Sequence, residues 1–446
     1  MIFFDSPWSW GAYIQCLDTA TEILTHRGFL GYAEIRSDDI VAAFDPFTEV
    51  ITWQPIRSKV LRSLGADEKM YALCSPHMDI RVTGGHRMLF QRQTSDKHKR
   101  KIWPNGWRIQ TAQDLSCEKS VYRIPVSGVE RTPGLLVTDA ELRFIGWFLT
   151  DGGFNKATGQ VQITQAVHQP QIEDLRRCLA DCGFDWKEYP REPSCIKGSF
   201  PNGRPQIVFV IPKGTGQGSN KRNGWVRLAP YLDKDFSPAL EALDSRQLGV
   251  LLEAIHLGDG DKQLGQSWTR RSYHISTGSK VFADRLQSLC VRRGYRCNIS
   301  KPKGYKLHIK RGLHWTLMGA PSQKRPRLVA TPTTPGEKVW CVENDVGTLI
   351  TRRNGKVAIV GNCLGRMIRI GSPHKGVLAF HLITERPKPD KDDRKTIDHH
   401  VLTLLRKKKG LIDKVLGEGA VGALTFDKSG TDLQDLVRAM QGRSGV

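Results

Sequence analysis

The sequence predicts a multi-domain chain: an all-β module divided into two stretches, an α/β (α+β) module with a pseudo-two-fold repeat lodged between them, and flanking segments of something else. Three observations carry this prediction. Short β-branched and aromatic runs broken by turn residues fill the region up to residue 130 and return at 331–361. Between them, one order of helix, strand and helix occurs twice. Outside them, the residues before Cys16 and after Asn362 read on into one another, so that removing 16–362 leaves Q-C-L-G-R-M-I-R-I-G without a break.

Taken in order, EILTHRGFLGYAEI, DIVAAF, EVITWQPI and MYALCS read as strands, and WRIQTAQDL and YRIPV continue them after V-T-G-G-H and the basic loop at 96–101. EKVWCVEN, TLITRR and KVAIVG repeat that style near the far end, separated by glycine and Asn-Gly turns. In the middle, FIGWFLTDGGF, VQITQ and IEDLRRCLADCGF are echoed by LLEAIHLGDGD, YHIST and FADRLQSLCVRRGY. Residues 188–225, rich in Gly, Pro, Asn and Lys, read as a flexible excursion; their GTGQGSNK lacks phosphate-loop spacing. The expected boundaries are 1–15, 16–130, 131–330, 331–362 and 363–446.

With 446 residues, several domains are expected, and a 39% hydrophobic content suffices for real cores. The net charge is +22, yet residues 131–260 sum to zero while 261–330 carry +14. A basic face beside a neutral half suits a polyanion, because Lys and Arg release counterions from phosphates. Ten cysteines without a C-x-x-C pair read as reduced thiols rather than a zinc site, Cys178 and Cys182 sharing one helix face. No apolar run reaches the roughly 18 residues of a membrane span, and no secretory leader is visible. A cytoplasmic protein associated with nucleic acid, monomeric through its internal pseudo-dimer, is expected.

Two constellations carry chemistry. A thiol such as Cys16 can attack the preceding carbonyl and turn an amide into a thioester, given a proton donor to the leaving nitrogen. Thr83 and His86 in T-G-G-H supply a hydroxyl to steady an oxyanion and an imidazole to protonate the amide nitrogen. At the other junction Cys363 would take over the acyl group, Asn362 would cyclise to cut the branch, and a sulfur-to-nitrogen shift would join Gln15 to Cys363. In the middle, Asp151 and Asp259 each close a helix-like run with a small residue at its centre, Gly146 and Ala254. Helices crossing at those residues bring the carboxylates together, with Gly152 and Gly260 turning the chain out. Two carboxylates at negative helix ends repel unless divalent cations lie between them, an arrangement that serves Mg²⁺-dependent phosphodiester hydrolysis.

Cys16-Leu-Asp-Thr, Thr83 to His86, VWCVEN and NGKVAIVGN-C together resemble the blocks of an intein with a Hint-type β fold. Cys341 falls where many relatives carry aspartate and a subset carries cysteine, which implies a thiol able to shuttle protons or relay the acyl group. This chain departs from the pattern in having Gly361 where the family usually has histidine before the terminal asparagine, and no histidine near Thr348. FIGWFLTDG and LEAIHLGDG resemble the paired motifs of LAGLIDADG homing endonucleases over residues 131–330. That resemblance implies double-stranded DNA as partner, Mg²⁺ at Asp151 and Asp259, and a lysine near the metals, Lys306 or Lys303; SWTRRSYHIST and GYKLHIKRGLHW would be the saddle strands. The healed string Q-x-x-G-R-x-x-R-x-G resembles motif VI of superfamily-two helicases, with FFDSPWSWGAYIQ resembling motif V. It implies an α/β helicase lobe as host, with Arg366 and Arg369 reaching the γ-phosphate of ATP. The flanks, 15 and 84 residues long, lack a phosphate-binding lobe, so this chain alone is not expected to hydrolyse ATP. Splicing itself needs no cofactor. Two rival readings are a DNA-binding scaffold whose splicing and nuclease sites have degenerated, and a helicase fragment with a large loop insertion.

Overall fold

A computed structural model describes residues 15–362 except 66, 96–97, 99, 104–105, 168–170, 193–204, 215–222, 260–271, 302–303 and 319–326; residues 1–14 and 363–446 lie outside the described residues. The chain divides into two units, Met1–Gly11 with Arg366–Val446 and Ala12–Gly365, and every described residue belongs to the latter. The unit is of mixed α/β character with several antiparallel sheets. No described helix is long and apolar enough to cross a membrane.

Strands from both β stretches share two sheets. The six-stranded sheet runs Val329–Thr331, Met70–Cys74, Asp79–Thr83, Leu17–Asp18, Lys338–Glu343, Ser58–Ser63. Leu17 pairs with Val82 on one side and Trp340 on the other, which sets the first residues of the insert between T-G-G-H and VWCVEN. Lys338–Glu343 is buried on both faces, as its near-continuous apolar run VWCV requires; the edge strand Ser58–Ser63 alternates half-buried and exposed. In the larger sheet Lys356–Gly361 lies between Arg87–Arg92 and Thr348–Arg353, with Thr348 opposite Gly361. The hairpin joining Thr348–Arg353 to Lys356–Gly361 turns on Asn354 (φ 48°) and Gly355 (φ 74°), the Asn-Gly turn whose twist matches antiparallel strands.

The inserted part carries the repeat into three dimensions. A helix α1 (Ala112–Ser116), capped by Thr111, precedes it. Helices α2 (Asp139–Asp151) and α4 (Ser245–Asp259) pack against each other in one hydrophobic core, where Phe144, Ile145, Phe148, Leu248, Leu251 and Ile255 are buried. α2 begins in a capping box, Thr138 accepting from the Glu141 N–H while Glu141 reaches back. α2 runs into a short strand, Gly152–Phe154, which pairs with Val161–Ala166; beyond that, each helix is followed by strand, helix and two strands: Val161–Ala166, α3 (Gln171–Asp181), Lys187–Arg191 and Gln206–Ile211, then Ser272–Thr277, α5 (Lys280–Arg292), Tyr295–Ser300 and Tyr305–Arg311. In both sheets the last of these strands pairs with the other two.

Several expectations are corrected. AQDLS is helical rather than part of a strand run, because Thr111 accepts from the Asp114 N–H and starts a turn. The stretch 188–225 is not all excursion: Lys187–Arg191 and Gln206–Ile211 complete a four-stranded sheet and bury Phe209 and Ile211. GYKLHIKRGLHW is not one saddle strand. Its first part is Tyr305–Arg311, and His314–Met318 then pairs with Val121–Pro125 in the larger β sheet, so the return to the β module precedes 331. Gly152 does turn the chain out of α2, without a positive φ. Its φ is −90°, and it is glycine because a Cβ would stand 2.5 Å from Phe148 Cα.

Within the unit, α5 docks on the Asn354 hairpin. Gln287 Nε2 donates to Gly355 O at 2.8 Å, Ile299 N–H donates to the same carbonyl at 2.9 Å, and Arg352 Nη1 reaches Asp284 Oδ1 at 2.5 Å while its other nitrogens hold Glu22.

Candidate functional sites

Cys16 is wholly buried at the entry to Leu17–Asp18, and Thr83, at the end of Asp79–Thr83, grips it at both ends. The Cys16 N–H, part of the Gln15–Cys16 peptide bond, donates to Thr83 Oγ1 at 3.0 Å; Thr83 N–H donates to Cys16 O at 3.0 Å, and the hydroxyl donates to the same carbonyl at 3.4 Å. The hydroxyl therefore addresses the nitrogen that would leave. His86 N–H donates to Thr83 O at 2.9 Å. The ring of His86 is fully buried, and desolvation, with the Arg87 charge beside it, pushes its pKa down to about 3, against the opposite pull of the Gly361 backbone. The resting imidazole is thus neutral at ordinary pH.

Cys341 is buried at the centre of Lys338–Glu343, its thiol donating to Val342 O at 3.4 Å. Leu17 opposes Trp340, so Cys16 and Cys341 are each the next residue beyond that pair along their own segments. Arg62, on Ser58–Ser63 and held by Glu68 (Nη2 to Oε1, 2.7 Å), lies close enough to feel the charge of a Cys16 thiolate. Nothing in the sequence signals Arg62, because only the sheet order brings it to this junction.

Asn362 is also wholly buried. Its main-chain N–H donates to Gly347 O at 3.0 Å and its Nδ2 to Asn344 O at 2.9 Å. Thr348 does not face Asn362: its hydroxyl donates to Phe44 O at 2.7 Å and accepts from the Phe44 N–H at 2.8 Å, bracing a neighbouring strand. Gly361 lies against Arg87, and a Cβ there would stand 2.5 Å from Arg87 Cβ and 2.9 Å from Arg87 O. That contact is the physical reason that no side chain, histidine included, fits at 361. Cys363, Arg366 and Arg369 lie outside the described residues.

The second site is built on the crossing of α2 and α4. A Cβ on Gly146 would overlap Ala254 Cβ, and one turn further on a Cβ at Gly258 would overlap the Thr150 side chain. Two glycines, of which the sequence pattern singles out only the first, thus bring the helix ends together with Asp151 and Asp259 at their tips. Gln165 Nε2 donates to Asp151 Oδ2 at 2.7 Å. Partial desolvation and then the Asp151 charge push the Asp259 carboxyl up, and Lys234 opposes them. Lys234 donates to the carbonyls of Phe148 (3.1 Å), Leu149 (2.7 Å) and Thr150 (2.7 Å), closing the end of α2 where a cation suits the helix dipole. Burial lowers its own pKa against the pull of both aspartates.

Lys234, in a connection outside the repeat, thus exerts its charge on both carboxylates. Lys306 lies on Tyr305–Arg311 opposite Ser276 and Ser300, and Lys303 is outside the described residues. No group of three or more His, Cys, Asp or Glu able to hold a metal occurs among the described residues. The pair Asp151 and Asp259 still fits a hard divalent cation: both offer oxygen, their mutual repulsion favours a positive charge between them, and a magnesium-like ion keeps several waters and needs few protein ligands.

No family model matches the chain. It is 22% identical over 380 residues to the ribonucleoside-diphosphate reductase subunit beta of Aquifex aeolicus, a match over 78% of this chain and 50% of that protein, so the chain spans about half that relative's length. Among solved structures it is similar to the LAGLIDADG homing endonucleases I-DmoI, as a point variant in complex with its target DNA in the presence of Mn (13% identity, TM-score 0.27, 39% of this chain and 87% of that one), and I-WcaI bound to its DNA recognition sequence (16%, 0.27, 40% and 76%). It is also similar to the AceL NrdHF class 3 split intein, at 18% identity and TM-score 0.15 over 21% of this chain and 75% of that one.

Proposed function

We propose that residues 16–362 excise themselves and join Gln15 to Cys363, and that the inserted repeat is a divalent-metal-dependent endonuclease for double-stranded DNA. The observation that carries the first reading is the pair of grips at the two ends of the insert, Thr83 on the Cys16 N–H and the turn Asn344–Gly347 on the Asn362 amide. The first grip lies beside Leu17–Asp18, which pairs with Lys338–Glu343, and the second is made by the turn that directly follows that strand.

In the first step the Cys16 sulfur forms a bond to the Gln15 carbonyl carbon, the Gln15–Cys16 C–N bond breaks, and the thiol proton passes to the freed amine. A neutral buried His86 suits a relay that takes that proton and returns it to nitrogen. Thr83 holds the nitrogen in place, and the Arg62 guanidinium favours sulfur as thiolate. Transfer to the Cys363 sulfur, cyclisation of Asn362 and migration of the acyl group from sulfur to the Cys363 amine follow, each conserving atoms without a cofactor.

For the nuclease, Asp151 and Asp259 would hold the metal, which activates water and stabilises the leaving oxygen. Gln165 orients Asp151, and Lys234 is placed to neutralise charge near the scissile phosphate. The joined flanks fit a helicase motif, and a helicase host with Arg366 and Arg369 at ATP belongs to the same proposal. Mass spectrometry of the freshly expressed chain tests the splicing reading: a 347-residue fragment and a joined 99-residue product are expected, and an intact 446-residue chain that persists on incubation would overturn it.

A further inference from the structure

The turn between Lys338–Glu343 and Thr348–Arg353 is tied by one side chain. Asn344 Oδ1 accepts from the main-chain N–H groups of Val346 (3.1 Å) and Gly347 (2.9 Å), and Asn344 Nδ2 donates to Thr348 O at 2.7 Å. The turn so fixed makes both bonds to Asn362, Gly347 O to its main chain and Asn344 O to its side chain. Asn344 is 4% exposed and Asn362 0%, so water does not compete readily for these bonds.

We propose that Asn344 is the positioning residue for cyclisation of Asn362, taking the place that a histidine at 361 or 348 would fill. The inference rests on the splicing reading above. In the step concerned, Asn362 Nδ2 forms a bond to the Asn362 carbonyl carbon, the Asn362–Cys363 C–N bond breaks, and a proton leaves Nδ2 while the Cys363 amine gains one. A free asparagine side chain samples several rotamers, most of which keep Nδ2 away from its own carbonyl. Holding the nitrogen and the main chain of one residue at two points of one rigid turn restricts that search, and the advantage of such restriction is large in intramolecular reactions. Accepting the Nδ2–H at Asn344 O also leaves electron density on the attacking nitrogen. Neither 361 nor 348 supplies such a group, since Arg87 fills the space beside Gly361 and the Thr348 hydroxyl is engaged by Phe44.

The test uses the full chain in two backgrounds. With Cys16→Ala, release of the segment after Asn362 reports cyclisation alone; with Asn362→Ala and Cys363→Ala, cleavage by hydroxylamine before Cys16 reports thioester formation alone. Asn344→Ala is expected to slow the release about tenfold or more, the scale of one lost positioning bond, while hydroxylamine cleavage stays within about twofold. Asn344→Asp, which keeps both bonds to Val346 and Gly347 but loses the Nδ2 donation to Thr348 O, is expected to restore only part of the rate. Release unaffected by Asn344→Ala, or both half-reactions falling together as in a merely misfolded protein, would overturn the inference. Absence of either half-reaction with Asn344 intact would overturn the splicing reading itself.

Discussion

The main-chain N–H of Cys16 donates to Thr83 Oγ1 at 3.0 Å. A hydroxyl acting as acceptor there holds the nitrogen that must leave, and with it the bond to be broken, in one orientation.

Thr83→Ala is therefore expected to slow hydroxylamine-dependent cleavage before Cys16 by about 10- to 100-fold, with Thr83→Ser keeping most of the rate. Equal rates for the alanine and serine proteins would show that the hydroxyl is idle.

His86 gives a pH signature. Its folded pKa, about 3, lies below the usual 6.5, so between these values the unfolded chain binds a proton that the folded chain does not. Stability contributed by this site is complete above pH 6.5 and is lost as pH falls toward 3, at up to about 1.4 kcal/mol per pH unit. Denaturant midpoints from about pH 7 to about pH 4, measured on a splicing-silent Cys16→Ala, Asn362→Ala protein, should fall more steeply than those of the same protein with His86→Gln; parallel curves would contradict the assignment.

At the proposed nuclease site, removal of Lys234 takes away the cation that opposes the upward shift of Asp259. Lys234→Met should raise the Asp259 carboxyl further, measurable by NMR titration, and reduce cleavage of DNA spanning the uninterrupted coding junction by about 10²-fold or more, as loss of one electrostatic stabiliser does. Asp151→Asn with Asp259→Asn should abolish cleavage and its dependence on divalent cation while leaving splicing intact. A double mutant that still cuts removes both aspartates from the mechanism.

The helix crossing offers a mechanical test. Gly146→Leu forces α2 and α4 apart at Ala254 and should destabilise the protein by about 1–3 kcal/mol, the range of overpacked cores, with cleavage lost. An unchanged unfolding midpoint would mean that the helices separate freely.

Much of this is legible in the residues. The repeated order of helix and strand points to α2 and α4, and the small residues Gly146 and Ala254 stand in the contact that their spacing suggests. The Asn-Gly pair at 354–355 marks its hairpin, since few other residues tolerate positive φ there. What the residues alone do not disclose depends on long-range pairing. Arg62 reaches Cys16 through the order of three strands, and Lys234 reaches the aspartates from a connection with no partner in the repeat. Gln165 bonds Asp151, whereas Thr277, in the second copy, accepts from Ser279 N–H at 3.1 Å, so the two copies do not serve their aspartates alike. Lys187–Arg191 and Gln206–Ile211 are obscured by the Gly, Pro and Asn residues around them, whose turn signal outweighs two short strands. A left-handed cap is the commoner reason for glycine after a helix; at Gly152, lack of room beside Phe148 decides instead.

The bonds from Gln287 and Ile299 to Gly355, and from Arg352 to Asp284, mean that the divided β module and the repeat lodged in it hold each other up. Trimming the repeat away would leave the Gly355 carbonyl without two donors and Arg352 with Glu22 as its remaining carboxylate partner among the described residues. A shortened protein should accordingly need compensating replacements at 352–355 to keep the hairpin's stability.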